Sequence, residues 1–110
     1  MPILTASDVY GINKTQMKIS VIGAGAMGGA MVRGLLRGKT HDAKDITVAD
    51  PSQSTIDSFA EMGVNVTTDN RDAVSGADTI CVVVKPWLVE TVLKSIKPYM
   101  DYDRQTVVVV

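Results

Sequence analysis

The chain has 110 residues, 45% of them hydrophobic, and a net charge of −1 at pH 7. That is enough for one domain with a single buried core, and so even a charge balance excludes the broad basic field that nucleic acid or an anionic membrane surface would attract. No apolar run approaches the ~20 residues that cross a bilayer, the N-terminus does not read as a secretory signal, and the single Cys81 excludes an internal disulfide and fits a reducing cytoplasm.

Residues 1–16 are mixed and polar, with Pro2, Gly11 and Asn13, and show no period. They read as a flexible extension without chemistry, and Met17 could itself be the start. From there strands and helices alternate. The first strand is expected over Lys18–Ile22, followed by the turn Gly23-Ala24-Gly25-Ala26-Met27-Gly28. A helix over Ala26–Arg37 follows, with Met27, Ala30, Met31 and Leu35 on one face and Gly38 as its stop. The second strand is Asp45–Ala49. Asp50-Pro51-Ser52 opens the second helix, which turns Ile56, Phe59 and Ala60 inward and ends at Gly63. The third strand is Val64–Thr67. Asp69 caps a short helix, with Asp72 three residues on in a capping-box spacing. The fourth strand, Thr79–Val84, is continuously apolar, as a parallel strand covered on both faces should be. Pro86 starts a helix whose inward stripe is Val89, Val92, Leu93 and Ile96, and Pro98 ends it. The fifth strand is Thr106–Val110.

This alternation predicts an α/β fold, a doubly wound parallel sheet of the Rossmann type. The strand order is 3-2-1-4-5 in three α/β/α layers, over residues 17–110. The ligand crevice then lies at the carboxyl ends of strands one and four. The run Val107–Val110 has no polar flank after it. That leads us to expect that the ancestral chain continued, and that a bare valine edge is a template for pairing between chains.

The glycine turn carries the chemistry. It leaves a buried strand and opens a helix, the arrangement that holds a dinucleotide pyrophosphate. Gly23 allows a tight turn, Gly25 lets the backbone approach the phosphates, and Gly28 lets the helix pack closely on the sheet. The helix start offers free N–H groups and the positive end of its dipole. Asp50 follows at the end of the second strand, roughly 20 residues on, where an acid can accept ribose hydroxyls. Two readings of Asp50 stand, as a ribose acceptor favouring NADH and as the cap of the second helix. Ser52, Ser54 and Asn70 could instead donate to a 2′-phosphate, with Arg71 supplying charge, so the cofactor is NADPH or NADH. Trp87 follows the exit of strand four and either borders the pocket or is a half-buried aromatic at a helix start. Cys81 reads as buried and inert, and His41 and Cys81 are too few and too far apart for a metal site.

Met17 to Ala30, followed by Gly34-Leu35-Leu36, resembles the first strand, turn and helix of pyrroline-5-carboxylate reductases. Asp69-Asn70 with Ala73-Val74 is similar to their third crossover. Ala77-Asp78 and an apolar strand leading to Val84-Lys85-Pro86 are similar to their fourth strand and its exit. The resemblance covers about residues 17–110, only the family's N-terminal cofactor domain. It implies an oxidoreductase that reduces the C=N bond of 1-pyrroline-5-carboxylate to proline with NADPH or NADH. By position, Gly23, Ala24, Gly25, Ala26, Met27 and Gly28 would hold the pyrophosphate. Asp50, Pro51 and Ser52 would lie by the adenosine ribose, and Asn70 would contact the adenosine end. Val84, Lys85 and Pro86 would border the nicotinamide.

In the family a helical second domain forms the homo-oligomer and supplies the pocket for the cyclic imino acid. This sequence has no counterpart to it. The resemblance therefore implies that this chain binds cofactor without efficient catalysis, and assigns it no catalytic residue and no metal. Two rivals remain, the cofactor domain of another imine or β-hydroxyacid dehydrogenase, and a dinucleotide-sensing module without chemistry of its own.

Overall fold

A computed structural model describes residues 17–38 and 41–110, so the expected extension at 1–16 lies outside the described residues. Five strands form one parallel sheet: β1 (Ile19–Ile22), β2 (Ile46–Ala49), β3 (Asn65–Thr67), β4 (Thr79–Val82) and β5 (Thr106–Val109). Their order across the sheet is β3-β2-β1-β4-β5, the expected topology. Ile19 is in register with Ile46 on one side and Thr79 on the other. Four helices connect the strands: α1 (Ala26–Arg37), α2 (Gln53–Ala60), α3 (Asn70–Val74) and α4 (Val89–Ile96).

Alternating side chains of the inner strands feed two cores, one on each face of the sheet. Val21 and Val48 point to the face where Val32 of α1 and Phe59 of α2 pack. Their neighbours Ile22 and Ala49 point to the other face, with Ile80, Val82, Val74 of α3 and Ile96 of α4. Burying each such valine or isoleucine is worth roughly 1.5–3 kcal/mol. β5 is an edge strand, and Val108 and Val109 are exposed on it. No helix among the described residues is long and apolar enough to cross a membrane.

Several local expectations change. The buried positions of α1 are Gly28, Gly29 and Val32, whereas Met27 and Ala30 are exposed. A count of apolar residues misses a helix that turns glycines to the sheet. Ala60 is exposed at the last position of α2. β4 stops at Val82, and the next residues leave the sheet. Pro86 opens one turn of 3-10 helix, Pro86–Leu88, and α4 starts only at Val89. The α4 stripe is as expected, with Ile96 buried and Val89, Val92 and Leu93 half-buried. Another 3-10 turn, Lys97–Tyr99, holds Pro98 just past the helix end.

Asp69 caps α3 by accepting the Arg71 N–H at 2.9 Å. The expected reciprocal bond from Asp72 is replaced: the Thr67 hydroxyl accepts the Asp69 N–H at 3.0 Å and donates to Asp72 at 2.9 Å. A β-branched hydroxyl at the end of β3 reaches the cap first.

Candidate functional site

The turn between β1 and α1 is built around two glycines that tolerate no side chain. Gly23 has φ +105°, and a Cβ there would overlap the carbonyl oxygen of Val83 and stand 3.0 Å from the Val84 side chain. A Cβ on Gly28 would overlap the carbonyl oxygen of Gly23. The turn is therefore pressed against the exit of β4 on one side and its own helix on the other. The Gly23 N–H donates to the Ala49 carbonyl at 2.8 Å, which ties it to the end of β2 as well.

Gly25 differs. Its φ is −72°, it is the N-cap of α1, it is exposed, and a Cβ built on it meets nothing within 4 Å. No side chain caps α1, and its first turn holds no acidic residue. The helix start thus presents N–H groups and dipole to open space, and no side chain of its own first turn competes for them.

Asp50 sits half-buried where β2 ends. One carboxylate oxygen accepts the Ala24 N–H of the glycine turn at 2.9 Å, and the other accepts the Ser52 N–H at 2.9 Å. The Asp50 N–H donates to the Thr67 carbonyl of β3 at 3.2 Å. Asp50 is not the cap of α2, one of the two roles read from the sequence. That is Ser52, whose hydroxyl accepts the Thr55 N–H at 3.4 Å and the Thr55 hydroxyl at 3.0 Å. Pro51 between them is exposed.

Val83 remains tied to β1 through its N–H and the Ile22 carbonyl, at 2.8 Å. Val84 is half-buried, and Lys85, Pro86 and Trp87 are exposed. The Lys85 carbonyl accepts the Leu88 N–H at 2.8 Å, closing the 3-10 turn. Trp87, at 74% exposure, stands out from it. Asn70 opens α3 and lines an open depression with Thr68, Asp69, Arg71, Ser95 and Tyr99. Arg71 pairs with Asp69 at 2.7 Å and lies over the Tyr99 ring at 5.8 Å. Its hydrogen bond to Asp69 holds that carboxyl below the usual range and raises its own proton affinity. In β4, burial pushes the Cys81 thiol up.

Gly23–Gly28, Asp50–Ser52 and Val84–Pro86 therefore meet at the carboxyl ends of β1, β2 and β4. Asn70 lies at the next strand end, in a depression of its own. Sequence reasoning missed the Val83 carbonyl under Gly23 and the Asp50–Ala24 bond. Neither leaves a local signal, since each joins segments distant in sequence.

A family model described as NADP oxidoreductase, coenzyme F420-dependent, matches residues 18–110. The chain belongs to that family. Within it, the resemblance read from the motifs is borne out. The chain is 36% identical over 81 residues to pyrroline-5-carboxylate reductase 3 of Danio rerio, covering 74% of this chain and 28% of that protein. The solved pyrroline-5-carboxylate reductase of Coxiella burnetii superposes with TM-score 0.78 at 30% identity, over 86% of this chain and 36% of that one. An imine reductase of Myxococcus stipitatus in complex with NADP+ superposes with TM-score 0.61 at 28% identity, over 70% of this chain and 26% of that one. The chain spans about a third or less of the length of these proteins.

Proposed function

We propose that this chain is the dinucleotide-binding part of an oxidoreductase resembling pyrroline-5-carboxylate reductase, which uses NADPH or NADH to reduce a cyclic imino acid in the cytoplasm. The observation that carries the reading is the seating of Gly23 on Val83 and Val84. It puts a glycine turn and the exit of β4 side by side at the topological switch point, where α/β sheets bind their ligands.

The residues fit the group. Gly25 leaves room for phosphates, and the uncapped start of α1 supplies donors and positive potential. Ala26 and Met27 would contribute backbone rather than side chains, which suits a pyrophosphate, whereas the Ala24 N–H is already held by Asp50. Ser52 and Asn70 offer polar groups toward the adenosine end. Val84, Lys85 and Pro86 form the wall on which a nicotinamide would rest. When bound, the reduced nicotinamide supplies the hydride. The chain's own residues bind and orient it.

Hydride transfer also needs the imine carbon held against the ring in a near-attack geometry. In this reading the pocket that does so, and the contacts of a homo-oligomer, belong to the part of the relatives' length that this chain does not span. A polypeptide of these 110 residues is expected to reduce 1-pyrroline-5-carboxylate at least ~100-fold more slowly than a family-length reductase under the same conditions. Comparable turnover would refute the division of labour.

The similarity to an imine reductase favours a second reading, in which the substrate is a cyclic imine without a carboxylate. Joining these residues to the remainder of a relative and comparing 1-pyrroline-5-carboxylate with 1-pyrroline separates the two.

A further inference from the structure

We infer that Asp50 is a positioning residue of the glycine turn, which sets affinity for NADPH and NADH alike instead of choosing between them. The inference rests on the proposed dinucleotide site and assigns one of its residues a different task. An acid at the end of the second strand is ordinarily read as a ribose acceptor, whose charge disfavours a 2′-phosphate. Here the carboxylate faces the protein. One oxygen holds the Ala24 N–H and the other the Ser52 N–H, both at 2.9 Å.

Those donors belong to two different segments. Ala24 lies between Gly23 and Gly25, in the middle of the turn. Ser52 is the N-cap of α2. Asp50 therefore bridges the turn to the start of the second helix. The ladder bond from the Gly23 N–H to the Ala49 carbonyl lies beside it. A turn rich in glycine has many backbone conformations to lose, so ordering it is costly. Charge-assisted bonds from one rigid strand end offset that cost before any ligand arrives. No side chain takes up the N–H groups at the uncapped start of α1. The same bond removes one donor, the Ala24 N–H, from the set that could hold a phosphate.

The two roles predict different cofactor responses. Loss of a ribose acceptor weakens NADH and spares or improves NADPH. Loss of a turn clamp weakens both by the same factor.

The test compares the unaltered chain with Asp50→Ala and Asp50→Asn. Affinity is read by calorimetry with NADPH and NADH, well below the melting temperature of each variant. Backbone hydrogen exchange is read at Ala24. The expected result is a loss of about tenfold with both cofactors for Asp50→Ala, at an unchanged NADPH-to-NADH ratio. Asp50→Asn keeps one acceptor, and should recover part of the loss. A general loss of packing would speed hydrogen exchange throughout the sheet, whereas loss of the clamp speeds it at Ala24. A loss confined to NADH overturns the inference, as does affinity that Asp50→Ala leaves unchanged. If the unaltered chain binds neither cofactor, the proposed function fails separately. Exchange at Ala24 then decides the clamp: acceleration in Asp50→Ala keeps it, and protection equal to the unaltered chain removes it.

Discussion

The α-carbon of Gly28 approaches the Gly23 carbonyl so closely that any Cβ on Gly28 would overlap that oxygen. Two glycines of one turn thus have distinct duties, and a third, Gly25, has another. Gly28 is buried against the turn, whereas Gly25 is exposed and open. Alanine at the two positions should separate folding from binding.

Gly28→Ala should destabilise the chain by about 2–3 kcal/mol, the upper part of the range for forcing extra volume into a packed site. Gly25→Ala should cost about 1 kcal/mol or less, the scale of a changed N-cap. It should nonetheless weaken dinucleotide binding at least ~10-fold, because its methyl stands where phosphate oxygens must approach a helix start. Urea unfolding read beside calorimetry checks both. Equal stability losses for the two variants would contradict the assignment.

Much of the fold was legible because parallel strands buried on both faces read as apolar runs, and glycines and prolines punctuate them. Both bounds of α1 were fixed by the turn before it and by Gly38 after it. What could not be read was tertiary. The apolar pattern hides the inward face of α1, because Gly28 and Gly29 reach the sheet by having no side chain. It extends β4 too far, because Val83 and Val84 are apolar for a different reason, as the surface against which Gly23 turns. From sequence Asp50 reads as a ribose acceptor or a cap, and only the three-dimensional placement reveals its bond to Ala24. The motif residues of the candidate site were visible, but the contacts that arrange them were not.

Gln105 offers a test of how the edge strand is held. Its side-chain amide donates to the Val74 carbonyl at 2.7 Å and the Ala77 carbonyl at 2.8 Å, fastening the α3–β4 turn to the segment that enters β5. Gln105→Ala should cost about 1–3 kcal/mol, the worth of two part-buried neutral hydrogen bonds. Cofactor affinity should be unchanged, because neither carbonyl lies near the glycine turn. Thermal melting and calorimetry on the same sample read the two effects.

Cys81 lies in the middle of β4 at 5% exposure, and burial raises its pKa. The thiolate is the reactive form. At neutral pH a thiol reagent should therefore label the folded chain only as fast as it opens, and label it promptly in denaturant. Rapid labelling of the native chain would show that β4 is not sealed.

The Asp69–Arg71 pair predicts the sign of a pH effect. Arg71 depresses the Asp69 pKa through its side-chain hydrogen bond. The contribution is therefore present above the unfolded carboxyl pKa and fades as pH falls through the lower folded value. Both groups are exposed, so salt should weaken it. In Asp69→Asn, the loss of stability on acidification below about pH 4 should be shallower than in the unaltered chain. Melting temperatures across that range at low salt measure the difference.

In the proposed reading this chain carries a working dinucleotide site of its own. The most direct measurement is a calorimetric titration of the 110-residue chain with NADPH and with NADH. Saturable binding near one dinucleotide per chain, abolished or strongly weakened by Gly25→Ala, is the predicted result. A folded chain that takes up neither dinucleotide would mean that the glycine turn is structural here, and would contradict the account.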